Sequence, residues 1–357
     1  MDSILEPGVR KVAVIACAQS GKSEGALNVL GYCMAHQPAP MLYVAPTFQD
    51  AERFSKGRLA DMVRTTPALR SVVTDRRLPA KDTRAESTVL LKQYPGGFLA
   101  LGGANTPNTF AAISVRLAIG DDVDRWVVLP EEGDPADLLP NRVRTFHDGR
   151  VLFVSTPTLK GGRIDTLYAR SDQRRYFVTC PACGHRDWIA WSAAEHFRVA
   201  WDERDASTAR IDCPSCAAQL RETDRHAMVA GGAWVATAEA QEPGLVGFHL
   251  PAMLSPWVPL PDLVGQFLSA RAKGRESLRV FVNTLLGEGW EDRGSRVEPH
   301  ALLSRREFYG ADVDVPAQVA VLTAGVDVQV DRFALQVIGW GPGLERWVVD
   351  WRAIPGD

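Results

Sequence analysis

The sequence lacks any uninterrupted apolar run of the ~18 residues that a membrane-spanning helix needs. Its first apolar stretch, Val12 to Ala18, stops at the polar Gln19 and Ser20, so neither a secretory leader nor a membrane segment is expected. There is no internal repeat and no low-complexity tract, which excludes collagen-like repeats and disorder. A large charge of one sign is also missing: 40 Lys and Arg stand against 43 Asp and Glu, a formal net charge of −3. The whole molecule is no polycation, and any contact to nucleic acid must come from local patches. Cysteine is scarce, six in 357 residues, and four of the six form two C-x-x-C pairs. In a chain without an export signal, that pattern reads as metal binding rather than disulfides and predicts a reducing, cytoplasmic setting.

What remains is an ordinary composition, 46% hydrophobic and 23% charged, at a length suited to about two or three domains. The charges are segregated. Residues 142 to 175 hold eight Lys or Arg and three Asp or Glu, whereas residues 120 to 137 hold seven acids and one Arg, predicting separate surfaces for anions and for cations.

From Lys11 to about Val154, short apolar runs alternate with helix-like stretches. The runs Lys11–Cys17, Met41–Ala45, Val115–Gly120 and Val151–Val154 each end in polar or small residues, as buried parallel strands feeding loops do, and they predict an α/β core. Thr47 is placed to cap the next helix, with Asp50 three residues on. From Tyr176 a second zone carries the cysteine pairs with Trp188, Trp191 and Trp201 between them, and reads as a metal-stapled insertion. Residues 236 to 262 contain five prolines and give way to a helical pattern from about Pro261 to Leu286, read as a linker. Past Pro316, three strand runs follow, Val319–Val328, Arg332–Trp340 and Leu344–Trp351.

Ala16-Cys17-Ala18-Gln19-Ser20-Gly21-Lys22-Ser23 follows an apolar run and opens a helical one, the context that gives a Walker A match meaning. Backbone amides of the loop would cradle phosphates, Lys22 would reach the β and γ oxygens, and the Ser23 hydroxyl would hold Mg²⁺. The leading Gly of the pattern is Ala16 here. Such a site needs an acid on a neighbouring strand, and Leu117-Ala118-Ile119-Gly120-Asp121-Asp122 supplies two: Asp121 for Mg²⁺, Asp122 as the base that activates water. Ser155 and Thr156, at the next strand end, can hydrogen-bond the γ-phosphate or its attacking water, or serve only as turn residues before Pro157.

These elements, in this order, resemble the large terminase subunit of tailed phages, specifically the lambda-like GpA family. The matching words are Ala18-Gln19-Ser20-Gly21-Lys22-Ser23-Glu24, Tyr94-Pro95-Gly96-Gly97, Gly102-Gly103-Ala104-Asn105, Asp121-Asp122-Val123-Asp124-Arg125 and Ser155-Thr156-Pro157-Thr158. Cys180-Pro181-Ala182-Cys183-Gly184, Gly247-Phe248-His249-Leu250 and Ser255-Pro256-Trp257 extend the likeness over nearly the whole chain. The resemblance implies nucleotide contacts at Gln19 to Ser23, Mg²⁺ at Ser23 and Asp121, catalysis at Asp122, and coupling at Ser155 and Thr156. It implies ATP-driven packaging of double-stranded DNA into a procapsid in the host cytoplasm, with a small terminase subunit, a procapsid portal and further copies of the chain as partners, and no membrane. Where the family usually has Asp-Glu, this chain has Asp121-Asp122, whose shorter side chain sets the carboxylate about one C–C bond further from the water, an expectation of slower hydrolysis. The family also carries several dozen residues before the phosphate loop that help hold adenine, whereas the first strand here begins by Lys11.

Cys180, Cys183, Cys213 and Cys216 offer four thiolates suited to tetrahedral Zn²⁺, with a 29-residue spacer that a hairpin or small subdomain must fill. His185 and His196 read as surface histidines, and Trp188 and Trp191 as packing. Asp327 sits within an apolar strand, where a buried carboxylate is costly unless it binds metal, and Gly325-Val326-Asp327 resembles the first acidic motif of the terminase nuclease; a strand-edge acid facing water is the alternative. The further carboxylates of a two-metal site would lie beyond Asp357, so the chain as given is expected not to cut DNA.

The expected organisation is therefore a P-loop NTPase core with a mostly parallel sheet over residues 1–175, a zinc-ribbon-like insertion over 176–235, a linker with one long helix over 236–316, and an incomplete RNase H-like fold over 317–357. The stretch from Arg142 to Arg175 offers contacts to DNA phosphates, an arginine finger at Arg142 or Arg144, or simply a solvated basic face. Two rival readings are a zinc-containing DNA-dependent helicase or remodelling ATPase, and an inactive prophage fragment.

Overall fold

The computed structural model describes residues 2–73, 88–111, 113–203, 205–291, 315–329 and 331–356, which divide into two compact units, Met1–Asp292 and Arg293–Asp357. In the first unit the chain lays down β1 (Lys11–Ala16), β2 (Met41–Ala45), β3 (Leu91–Tyr94), β4 (Gly97–Gly103), β5 (Leu117–Asp121) and β6 (Arg150–Ser155). It then builds a second sheet from β7 (Arg175–Thr179), β8 (Arg186–Ala190), β9 (Phe197–Asp202), β10 (Asp205–Asp212), β11 (Gln219–Leu220) and β12 (Ala233–Val235), before β13 (Leu245–Leu250) returns to the first. The first sheet runs β13-β1-β6-β5-β2-β4-β3, parallel throughout except for the β3–β4 hairpin. A mixed α/β fold with a parallel-sheet core is thus observed, as expected.

The apolar runs read as buried strands because both faces of this sheet are covered. Val12, Val14 and Ala16 of β1 enter one core, with Ala26, Leu30 and Met34 of the helix α1 (Lys22–His36). Ala13 and Ile15 point the other way, into a core shared with Ile164 and Tyr168 of the helix Arg163–Arg170. After β2, Thr47 caps α2 (Phe48–Phe54) as its sequence position predicts, its hydroxyl accepting the Asp50 amide at 3.2 Å.

The stretch expected to be a linker differs most from its reading. Leu245–Leu250 is a strand of the core, paired in register from Lys11↔Leu245 to Ala16↔Leu250. Its flanking prolines, good markers of loops, hide a six-residue apolar run of the kind a parallel edge requires. The single long helix over 261–286 is also corrected. It is two helices, Leu260–Lys273 and Arg275–Phe281, separated at Gly274, whose φ of +100° no right-handed helix can contain, and followed by a wide π-turn, Val282–Leu286. These helices do not stand apart as a connector: Leu260, Leu263, Val264 and Phe281 share a third core with Val178, Phe197, Val199 and Ile211 of the second sheet. The remainder of that linker reading, 292–314, lies outside the described residues.

In the second unit, β14 (Val321–Val328), β15 (Arg332–Trp340) and β16 (Arg346–Pro355) form an antiparallel meander close to the three predicted runs. No helix among the described residues is long and apolar enough to cross a membrane.

His249 anchors β13. Its Nε2 donates to the carbonyls of Leu286 at 2.9 Å and Gly287 at 3.1 Å, while Nδ1 faces the Arg175 guanidinium. Burial, then the Arg175 charge, pushes its pKa down to about 3, so the neutral Nε2–H tautomer persists in the folded chain. The unfolded chain, with an ordinary histidine, binds the extra proton between about pH 6.5 and pH 3, so stability falls as pH drops through that window. Denaturant unfolding at pH 7.5 and pH 5 should show wild type losing more stability than His249→Gln, with a slope approaching about 1.4 kcal/mol per pH unit from this group alone.

Candidate functional site

The loops that leave β1, β5 and β6 converge at the C-terminal edge of the parallel sheet, where crevices of such sheets hold ligands. Gln19 and Gly21 adopt left-handed backbone, φ +57° and +80°, which lifts the loop over the start of α1. Helix α1 begins at Lys22 with no side chain capping it, so its first-turn amides present the positive end of the helix dipole. The amides of Cys17 and Ala18 donate to the carbonyls of Leu250 at 2.8 Å and Thr284 at 2.7 Å, which fixes the base of the loop. Ser20 lies beside the Cys17 thiol, whose pKa burial pushes up to about 11; Cys17 is a buried packing residue.

Asp121 ends β5 only 7% exposed. Its carboxylate accepts the Ser23 hydroxyl at 3.2 Å and the Tyr43 hydroxyl at 2.7 Å, while its carbonyl accepts the Trp126 indole N–H at 2.9 Å. Burial raises its pKa, a nearby Asp122 raises it further, and the two hydroxyls and Lys22 pull it down. A buried carboxylate with this balance is suited to a cation, and the Ser23 hydroxyl beside it could supply a second oxygen ligand. Asp122 follows in left-handed backbone, φ +48° and ψ +49°, a conformation aspartate tolerates, with Oδ1 3.3 Å from the Lys22 ammonium. Lys22, Ser23, Asp121 and Asp122 are thereby brought together, as the sequence predicted.

Ser155, fully buried at the end of β6, donates to the Thr156 carbonyl at 3.0 Å and accepts the Asp124 amide at 3.2 Å. Thr156 Oγ1 is buried without a hydrogen-bond partner, an orphaned group of the kind that a bound oxygen ligand satisfies.

Three residues in this site were not singled out from sequence. Tyr43, stacked on Phe54 at 4.0 Å, reads as apolar strand but delivers a buried hydroxyl. Asp124 accepts Thr158 N at 2.9 Å and Oγ1 at 3.1 Å with one oxygen and Ile164 N at 2.8 Å with the other, joining the β5 turn to the β6 loop and capping the helix Arg163–Arg170. Its place three residues after Asp121 in an acidic run was the available signal. Asn283, 9% exposed and far along the chain, gave none.

The four thiol sulfurs of Cys180, Cys183, Cys213 and Cys216 lie within 4.8 Å of one another, with Cys180–Cys216 at 4.0 Å and Cys183–Cys213 at 3.8 Å. A tetrahedral Zn–S₄ centre spaces its sulfurs about 3.8 Å apart. The backbone amide of His185 pulls the Cys183 thiol down, while burial pushes Cys180 up and the neighbouring thiols push Cys216 up, so the first proton leaves the cluster at Cys183. His185 and His196 face Asp187, at 3.8 and 2.9 Å, rather than the sulfurs. Trp191 packs against Trp201, Phe267 and Phe281, and Trp188 against Phe177 and His196, so the tryptophans are packing residues here.

Two other expectations change. Much of the basic stretch is internally paired, with Lys160 on Asp165, Arg163 on Asp134, Arg170 on Glu242 and Arg174 on Asp172, so it is no open cationic face, although Arg144 is exposed. Asp327 is not buried: all eight residues of β14 are exposed, and its Oδ2 accepts the Gln329 amide at 3.1 Å. An apolar run on an edge strand of a three-stranded sheet does not by itself bury its acid.

Residues 1–234 match the family described as phage terminase large subunit gpA, ATPase domain, and residues 245–357 match the terminase large subunit gpA, endonuclease domain. The chain is 30% identical over 376 residues to the terminase large subunit of Escherichia phage lambda, covering 98% of this chain and 56% of the relative. It is 29% identical to the terminase large subunit of Enterobacteria phage P21, covering 96% and 56%. The chain thus spans little more than half the length of these curated relatives. Among solved structures, the large terminase of the thermophilic bacteriophage D6E in complex with ADP aligns with a TM-score of 0.40 and 10% identity, over 99% of this chain and 65% of that one.

Tyr43→Phe removes one donor to a buried carboxylate while keeping the ring stack. It should lower the free energy of unfolding by about 1–3 kcal/mol, read as a fall of the urea midpoint at unchanged slope.

Proposed function

This chain belongs to the phage terminase large subunit gpA family, and on that premise we propose that it is the ATP-hydrolysing part of a motor that packages double-stranded viral DNA into a procapsid. The observation that carries this reading is the convergence of Lys22, Ser23, Asp121 and Asp122 at the uncapped N-terminus of α1. Residues Gln19 to Ser23 would wrap the phosphates, with Lys22 leaving its present partner Asp122 for the β and γ oxygens. Ser23 and Asp121 would hold Mg²⁺, which neutralises charge on the transferred phosphoryl group. Once Lys22 turns to the phosphates, Asp122 is the carboxylate left to accept the proton of the attacking water. Ser155 and Thr156 complete the site, Thr156 with a hydroxyl in need of a partner. The family match leaves the helicase reading without support.

The second sheet with its four cysteines is best understood as a zinc-ribbon-like module holding one structural Zn²⁺. Strands β14–β16 would belong to an RNase H-like nuclease sheet, with Asp327 as one of its metal ligands. Sequence-independent transport needs contacts to DNA phosphates, for which exposed basic residues such as Arg144 are the candidates, and Arg142 or Arg144 would serve as an arginine finger toward a second copy. The small terminase subunit and the procapsid portal are the protein partners this role requires, and the host cytoplasm is where it would act.

Steady-state ATP hydrolysis, with and without double-stranded DNA, tests the reading. The wild-type chain should exceed Lys22→Ala by about 10²-fold, the usual loss when one preorganised positive donor is removed. Equal rates in both proteins under both conditions would overturn it. For the metal, atomic emission should find one zinc per chain, reduced in Cys213→Ser, and chelation should lower the unfolding temperature of wild type but not of the zinc-free variant.

A further inference from the structure

The segment 282–291 closes the first unit in the chain and touches both loops of the candidate site. On one side, the Ala18 amide of the phosphate loop donates to the Thr284 carbonyl at 2.7 Å. Gly287, at φ +66°, lies so close that a Cβ there would meet the Cys17 nitrogen at 2.9 Å. On the other side, the buried Asn283 side chain donates through Nδ2 to the Thr158 carbonyl at 2.7 Å and to the Glu288 carbonyl at 2.8 Å. The Trp290 amide reaches the same Thr158 carbonyl at 3.0 Å, and the Lys160 amide donates back to the Trp290 carbonyl at 2.9 Å. Thr158 is in turn held by the Asp124 carboxylate, two residues after Asp122.

We propose that Asn283 is a positioning residue that makes residues 282–291 report the state of the bound nucleotide. The inference rests on the ATPase reading above and adds a route to it. The phosphate loop fixes one end of the segment through Thr284. The loop after β6, which carries the orphaned Thr156 hydroxyl and is tied to the Asp121–Asp122 turn by Asp124, holds the other at Glu288 through Asn283 and at Trp290 directly. A γ-phosphate that engages Thr156 shifts Thr158 relative to Ala18. Because Asn283 clamps Thr158 and Glu288 together, that shift must be taken up within 283–290. The π-turn Val282–Leu286 is the place where the backbone can give, ahead of the Leu286 and Gly287 carbonyls that His249 holds. Without the Asn283 amide, Glu288 loses its tie to Thr158, and only the Trp290 hydrogen bonds still carry movement of the β6 loop into the segment.

Hydrogen exchange of the whole chain, resolved by peptide, tests this with Mg-ATP-γ-S, Mg-ADP and no nucleotide. In wild type, both nucleotides should slow exchange over 16–30, and exchange over 282–291 should differ between ATP-γ-S and ADP by about fivefold, the population change that one hydrogen bond supplies. In Asn283→Ala, protection over 16–30 should persist while the difference over 282–291 shrinks markedly, an outcome that loss of packing alone would not produce. Equal exchange over 282–291 with both nucleotides in wild type, or a difference of unchanged size in Asn283→Ala, overturns the role of Asn283. No protection over 16–30 with either nucleotide would instead overturn the ATPase reading, and the inference with it. The wild-type comparison decides the matter even if Asn283→Ala fails to fold, and Asn283→Asp offers an isosteric substitute lacking the donors.

Discussion

Cys17 and Ala18 give their amide protons to the carbonyls of Leu250 and Thr284, more than 230 residues further along the chain. A loop that presents its amides to phosphate cannot also satisfy the two at its base, and a buried amide without an acceptor is costly. The acceptors come from β13 and from the π-turn, so the loop's shape depends on the pairing of Ala16 with Leu250 and on the docking of the helices that precede Gly287. The same requirement explains the excursion of the chain between β6 and β13. The second sheet is built, and the chain must then come back to the edge beside β1.

Buried polar side chains make that return specific. His249 ties β13 to Leu286 and Gly287. Arg225, 1% exposed, donates to the carbonyls of Met253, Ser255 and Val258 and pairs with Glu222, which also accepts the Leu260 amide, so the helix Glu222–Ala230 holds the turn that follows β13. Each of these groups would be expensive to bury alone, and each is paired. An apolar interface would tolerate sliding by a residue; these hydrogen-bonded ones do not.

The sequence was most legible where chemistry depends on neighbours in the chain. Gly21-Lys22-Ser23 between a strand and a helix, Thr47 before Asp50, and the paired cysteines all announce themselves locally. Asp121 was legible for the same reason, since an acid ending an apolar run has few structural uses. What escaped depended on distant partners. Tyr43 looks like any strand aromatic until its hydroxyl is seen on Asp121, and Asn283 has no meaning without Thr158, 125 residues away. β13 was missed because proline punctuation outweighed a run of six residues, and the helix break because a single glycine within a helical pattern is often tolerated. Asp327 shows the converse: hydropathy located its strand correctly but could not show that both its faces are exposed.

The long return of β13 also has a consequence in time. During synthesis the ribosome releases β1, α1 and the acids of β5 well before Leu250, and Thr284 later still. Of the core strands, β5 and β6 are joined by a short connection, whereas β1 must wait for β6 and then for β13 before both its edges are paired. The phosphate loop cannot reach its final shape until nearly the whole first unit has emerged. A nascent chain stalled within the second sheet would therefore lack the carbonyls of Leu250 and Thr284 that fix the base of the loop before α1.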